Sequence, residues 1–199
     1  MSEVLGRPDL EGQVDHGGSI HPTAIVEDGA VVGPGTSIWH HSHVRAGSRV
    51  GARCTIGFCV YVDTGVEIGD RCKVQNLVSL YRGVVLEDDV FIGPSVTFTN
   101  DRHPRADSGT WEVVSTRVRS GASVGANATV ICGVELGVRS MVGAGAVVTA
   151  DVPDHGMVLG SPARLYAWVC RCGRPLARLG DAMPDRCSRC GWVTAGLST

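Results

Sequence analysis

An apolar residue recurs at every sixth position from Ile20 to Phe98, and few polypeptide folds tolerate that period. The series runs Ile20, Val26, Val32, Ile38, Val44, Val50, Ile56, Val62, Ile68, Val74, Leu80, Leu86, Ile92 and Phe98. All fourteen are apolar; at 43% hydrophobic content, chance would give such a run roughly once in 10⁵ trials. The fourth residue after each is small or β-branched, as at Ala24, Thr36, Ser48, Cys54 and Val66. A six-residue period fits neither an amphipathic helix nor an alternating hairpin strand. It fits a coil of three short strands with a turn at each of three corners. Eighteen residues then close one coil, and residues eighteen apart stack about 4.8 Å apart along the axis. The predicted fold is all-β, a left-handed parallel β-helix built from hexapeptide repeats, an exception to the right-handed crossover rule.

Composition agrees with a narrow β interior. There are 27 glycines and only 5% aromatics, with Val, Ile and Ala supplying the apolar volume. Lys and Arg number 18 against 20 Asp and Glu, so charge gives no reason to expect nucleic acid or an anionic membrane as partner. No apolar run approaches a membrane span, and the first nineteen residues lack a signal-peptide core, so a cytoplasmic location is expected.

The repeat breaks once. After Phe98 the apolar series resumes only at Val118, then runs Val124, Val130, Leu136, Val142 and Val148. The gap of twenty residues is two more than a multiple of six, so an extruded loop is predicted at residues 101–117. It is polar and lies on a rigid scaffold, where function concentrates. The chain divides into a mobile N-terminal segment (1–19), the β-helix (20–165) and a Cys-rich tail (166–199). A triangular prism has flat sides, so its most economical site is a cleft between prisms in a homotrimer, closed by a neighbour's loop.

Several blocks carry a closer resemblance: IWHHSHV (38–44), KVQNLVSLYRGVVLEDDVFIGPSVTFTN (73–100), NDRHPR (100–105), GASVGANATVICGV (121–134) and GAGAVVTADVPDHGMVLGSPAR (143–164), continuing into WVCRCG (168–173). Together they resemble the hexapeptide-repeat N-acetyltransferases of nucleotide-linked 3-amino sugars. Among these are enzymes acting on UDP-2-acetamido-3-amino-2,3-dideoxyglucuronate and on dTDP-3-amino-3,6-dideoxyhexoses. The resemblance implies an acyltransferase in which a sugar amine attacks the acetyl-CoA thioester.

That chemistry needs a placed neutral amine, donors for the developing oxyanion and a route for the proton. By resemblance, Asn100 sits at the reacting centre; an amide orients an amine or hydrogen-bonds a carbonyl but is no base. His103 is the loop's imidazole and the candidate general base. Arg102 and Arg105 are forked donors for a pyrophosphate or sugar carboxylate. Gln75, Asn76 and His40 are the candidate substrate contacts. His40, Phe58 and Asn76 share one outward column by their eighteen-residue spacing, with Trp39, Gly57 and Gln75 in the next. Two departures stand out: the family usually shows a second Asn where Leu77 stands, and Gln-Asn where Phe58-Cys59 stands. Coenzyme A is expected along Gly125, Ala126, Ala144 and Gly145, with Arg164 and Arg119 as candidates for its phosphates.

Of the eight cysteines, Cys54 and Cys72 stack eighteen apart at inward corners and read as buried small hydrophobes. Cys170, Cys172, Cys187 and Cys190 form two knuckles, each followed by glycine, that suit a closed, structural tetrahedral zinc in a ribbon-like module. A γ-class carbonic anhydrase would need three clustered histidines; among His21, His40, His41, His43, His103 and His155, only His103 lies near the expected site. The repeat alone is also compatible with a non-catalytic β-helix scaffold, or with a hexapeptide acyltransferase that uses a different acceptor such as serine.

Overall fold

The computed structural model describes residues 17–107, 109, 111–195 and 197. The expected mobile segment 1–19 therefore lies almost wholly outside the described residues. Within it, Ser19 already accepts a backbone hydrogen bond from Ile38 (2.8 Å), and Ile20 bridges to Ile38.

The chain winds through seven coils of a left-handed parallel β-helix with three faces. Face one stacks Ile25–Val26, His43–Val44, Tyr61–Val62, Ser79–Leu80, Thr97–Phe98, Thr129–Val130 and Val147–Val148. Face two stacks Val31–Val32, Arg49–Val50, Glu67–Ile68, Val84–Leu86, Thr116–Val118 and Glu135–Leu136. Face three stacks Ser37–Ile38, Thr55–Ile56, Lys73–Val74, Phe91–Ile92, Ser123–Val124 and Met141–Val142, and continues into Gly156–Leu159. The second residue of each pair points inward: from Ile38 to Val148 the hexad positions are all but fully buried. Their columns, with Phe98 the largest member, form one continuous core. Ile20, the first hexad position, stays about half exposed, because no described strand stacks before the first coil, while Ile25 and Val31 are exposed as the outward first residues of their pairs.

Each corner needs one residue in the left-handed backbone region. The corner between faces one and two supplies glycine there in five coils, among them Gly29, Gly47 and Gly65. The corner between faces three and one instead carries side chains at that position in five coils, His41, Cys59, Leu77, Ser95 and Asn127, and glycine only in the sixth, at Gly145. A Cβ in this region costs about 1 kcal/mol or more, least for Asn. Leu77, where relatives are expected to place Asn, sits there with φ 63° and is exposed.

The excursion leaves the corner between faces one and two. Leu86 pairs with Val118, 32 residues on, where an unbroken coil would have placed residue 104; fourteen residues are therefore extruded. The neck closes where the Val114 N–H donates to the Asn100 carbonyl (3.1 Å). The loop ends earlier than the expected 101–117, since Arg117 is back in the strand Thr116–Val118 and registers with Val85.

After the last coil, Arg164–Val169 turns back antiparallel on Gly156–Leu159, and Pro175–Arg178 adds a further antiparallel strand. The tail docks against the coil through His155. Its ring stacks on Trp192 (5.0 Å, 18°), its Nδ1 lies 2.9 Å from the Val169 carbonyl, and its own carbonyl accepts the Val169 N–H. No described helix is long and apolar enough to cross a membrane.

Candidate functional site

One edge of the prism, between faces three and one, collects most of the residues singled out from the sequence. Backbone hydrogen bonds link its coils in series: Cys59 N–H to His40, Leu77 to Phe58, Ser95 to Asn76, Asn127 to Pro94 and Gly145 to Ala126. Read along the axis, the edge carries His40, Phe58, Asn76, Pro94, Ala126 and Ala144. The expected substrate contacts His40, Gln75 and Asn76 and the expected coenzyme residues Gly125, Ala126, Ala144 and Gly145 thus lie in adjacent columns along this one edge, which is polar and aromatic in its first half and small in its second. Arg164 begins where this edge ends: the turn before it is tied to Val147 through Gly160 and Ala163. Its guanidinium is exposed and bonds only the neighbouring Ala163 carbonyl (2.9 Å) among the described residues.

Asn76 is partly committed to the fold. Its Oδ1 accepts the Phe58 N–H (2.9 Å), and a Cβ at Gly57 would stand 2.7 Å from that oxygen. The Asn76 amide nitrogen and the whole Gln75 amide have no partner among the described residues.

Asn100 lies one corner away, at the neck of the extruded loop and on the coil of Pro94. Its Nδ2 donates to the Arg82 carbonyl eighteen residues earlier (3.3 Å). The Arg82 N–H in turn donates to Asp63 Oδ2 (3.3 Å). Asp63 Oδ1 accepts from the Thr64 N–H (2.8 Å), Arg45 Nη1 (2.9 Å) and the Tyr61 hydroxyl (3.2 Å). Burial alone pushes the Asp63 carboxyl up, but these donors outweigh it and hold it below the usual carboxylate range. The chain continues to Glu27, whose Oε1 is 2.7 Å from His43 Nε2 and whose Oε2 accepts the Ala46 N–H (2.8 Å). Asn100 therefore stands at the end of a charged ladder on one edge, with its side-chain nitrogen engaged and its Oδ1 without a described donor.

The loop residues separate. Arg102 Nη2 donates to the Cys132 carbonyl (2.6 Å) on the next coil, which makes it a strap across the neck. Gly133 admits this strap: a Cβ there would meet Arg102 Nη2 at 2.8 Å. Arg105 is exposed and bonds only its neighbour Pro104 (2.9 Å) among the described residues. His103 is exposed, with its backbone N–H on Asp101 Oδ1 (2.8 Å) and no described partner for its ring.

Arg119 is not brought to the coenzyme column. It stands on the edge between faces two and three, with Nε 3.0 Å from Glu87 and Nη1 2.9 Å from Glu135. Glu87 Oε2 also accepts from the Ser120 N–H and hydroxyl (3.0 Å each). Cys54 and Cys72 are buried free thiols that donate to the Gly69 (3.1 Å) and Glu87 (3.0 Å) carbonyls.

The four tail cysteines converge. One Sγ from each of Cys170, Cys172, Cys187 and Cys190 lies within 4.8 Å of all the others. The Cys170–Cys190 and Cys172–Cys187 sulfurs are 3.4 and 3.8 Å apart. A tetrahedral ion with metal–sulfur bonds of about 2.3 Å separates its ligands by about 3.8 Å, so the donor set fits zinc. The backbone N–H groups of Cys190 and Arg189, turned toward Cys187, lower its thiol pKa to about 6, while burial pushes Cys170 up to about 12.

Sequence reasoning missed Arg82 and Asp63, although the eighteen-residue step from Asn100 back to Arg82 was readable. It also passed over Lys73, the only lysine in the chain, which stands on face three between Thr55 and Phe91.

Comparison with known proteins bears on the same stretches. The bacterial transferase hexapeptide pattern (six repeats) matches residues 29–64, and the hexapeptide repeat of succinyl-transferase matches residues 47–82 and 117–150, skipping the excursion. The chain is 40% identical over 74 residues to dTDP-3-amino-3,6-dideoxy-alpha-D-galactopyranose 3-N-acetyltransferase of Aneurinibacillus thermoaerophilus, covering 37% of this chain and 38% of that one. It is 37% identical over 87 residues to the serine acetyltransferase of Salmonella typhimurium, covering 41% and 28%. The matches therefore span less than two fifths of the length of either relative. Among solved structures, a hexapeptide-repeat acetyltransferase from Vibrio cholerae, complexed with acetyl coenzyme A, aligns with a TM-score of 0.51 at 26% identity over 58% of this chain and 70% of that one.

Proposed function

Since the chain belongs to the hexapeptide-repeat transferases, we propose that it is an acetyl-CoA-dependent N-acetyltransferase acting on the 3-amino group of a nucleotide-linked sugar. The observation that carries this reading is the division of one prism edge at the level of Asn100. Toward the C-terminus the edge is small, from Pro94 through Ala126 to Ala144 and Gly145, which admits the pantetheine arm. Toward the N-terminus it is polar and aromatic, which suits an acceptor. The two substrates then meet at the coil that bears Asn100. The dTDP-amino-sugar acetyltransferase match and the acetyl coenzyme A bound in the Vibrio cholerae structure support the same chemistry.

In this reading Asn100 Oδ1 accepts an N–H of the sugar amine. Its Nδ2 is already on Arg82, so the amide is oriented before substrate arrives, and the amine lone pair is turned toward the thioester. Attack forms the C–N bond, and the tetrahedral intermediate expels CoA thiolate. The amine proton leaves to solvent or to His103, which lies in the extruded loop that reaches toward a neighbouring prism. Because Asn100 and the substrate edge lie on different corners, the site forms between chains of a homotrimer. Arg164 at the end of the edge serves a CoA phosphate. Zinc on Cys170, Cys172, Cys187 and Cys190 is structural, holding the tail against the last coil.

The serine acetyltransferase match favours a second acceptor, an amino acid hydroxyl. Thiol release from acetyl-CoA against UDP- and dTDP-linked 3-amino sugars and L-serine tests both. Turnover on one sugar, absent on serine, supports the proposal; turnover on serine alone overturns it.

A further inference from the structure

We infer that the acceptor's nucleobase stacks on Trp39, in a notch floored by Gly57 and closed by Gln75, with its diphosphate beside Lys73; this rests on the nucleotide-sugar reading above. Trp39, Gly57, Phe58, Gln75, Asn76 and Thr55 line a concavity of about 370 Å³ on face three and its edge. Trp39 is 50% exposed and Phe58 39%, and the two stand together at this concavity. Neither belongs to the core, and the corner does not require them.

The shape follows from the coil. Trp39, Gly57 and Gln75 are one column, so Trp39 and Gln75 are two steps, about 9.6 Å, apart. Gly57 leaves no side chain between them. That opening accepts one planar ring on the indole, with the unpartnered Gln75 amide at its rim to donate and accept along a base edge.

The position follows too. Trp39 lies three coils before the coil of Pro94 and Asn100, about 14 Å along the axis. Lys73, between those levels, makes no ion pair among the described residues. Base, phosphate charge and reacting amine thus fall in the order that a nucleoside diphosphate sugar requires. Coenzyme A also carries a base and phosphates, but its small-walled half of the edge lies on the other side of Asn100.

The test is calorimetric titration of the whole chain with UDP, dTDP and, separately, CoA, in the native protein and in Trp39→Ala, Trp39→Phe and Lys73→Ala. Trp39→Ala should weaken the favoured nucleoside diphosphate about tenfold or more, Trp39→Phe by less, with CoA affinity unchanged. Lys73→Ala should weaken it at low salt, by a margin that shrinks as salt rises. Unchanged nucleotide affinity in Trp39→Ala overturns the assignment, as does loss of CoA affinity instead. A smaller particle by light scattering for Trp39→Ala overturns it as well, by making the surface a contact between copies. Native protein that binds CoA but neither nucleotide removes the nucleotide-sugar reading itself.

Discussion

The Asn100 amide nitrogen donates to the carbonyl of Arg82, one coil earlier, and so presents Oδ1 rather than Nδ2 to whatever approaches the neck of the loop. This bond converts a residue that could serve a thioester oxygen or an amine into one set to receive an amine. Asn100→Ala should therefore lower kcat by about 10²-fold while leaving CoA affinity unchanged, measured by thiol release and titration. Retention of most of the activity would remove Asn100 from the reacting centre.

Arg102 acts as a strap, through its 2.6 Å bond to the Cys132 carbonyl. Arg102→Ala should raise the rate of limited proteolysis within residues 101–113 and lower Tm by about 2–4 °C, the shift that one lost hydrogen bond gives in a chain of this size. If the substrate KM rises tenfold while the proteolysis rate stays fixed, the guanidinium belongs to the substrate instead.

Metal content should be one zinc per chain and fall to near zero in the Cys187→Ser, Cys190→Ser double variant. Because Trp192 of the tail stacks on His155 of the coil, tryptophan emission should change on chelation while the β-sheet circular dichroism persists. Zinc retained by the double variant would refute the four-cysteine site.

Glu87 predicts a pH dependence. Burial raises its carboxyl, but the Ser120 hydroxyl and N–H and the Arg119 and Arg117 guanidinia outweigh burial and hold it below the usual carboxylate value. A depressed folded pKa contributes stability that is present above the unfolded value and lost as pH falls through the folded one. Glu87→Gln should cost on the order of 1 kcal/mol at pH 7. The gap between native and variant should close once pH falls below the carboxylate range, measured by urea denaturation at each pH. A gap that persists in acid would mean the loss is one of packing.

The period of six made the architecture legible without coordinates, because an inward residue every sixth position is required for three short strands to share one narrow core. The same arithmetic put His40, Phe58 and Asn76 on one column, and it would have found Arg82 beneath Asn100. The tail's two cysteine knuckles were readable because paired turns ending in glycine bring sulfurs together locally.

Arg119 shows where that reading stops. The twenty residues from Phe98 to Val118 admit one corner with fourteen residues extruded, or more of the coil with fewer. Each choice rotates every later residue to a different edge. Hydrogen bonding between Val84–Leu86 and Thr116–Val118 selects the first, which stacks Arg119 on Glu87 and aligns Ala126 and Ala144 with Asn76. The sequence by itself determined the repeat, its inward columns and the place where the chain departs from them, since these follow from side-chain periodicity. Only the tertiary structure decided how the coils after the excursion register with those before it, because that depends on which backbone groups pair across a gap that carries no period of its own.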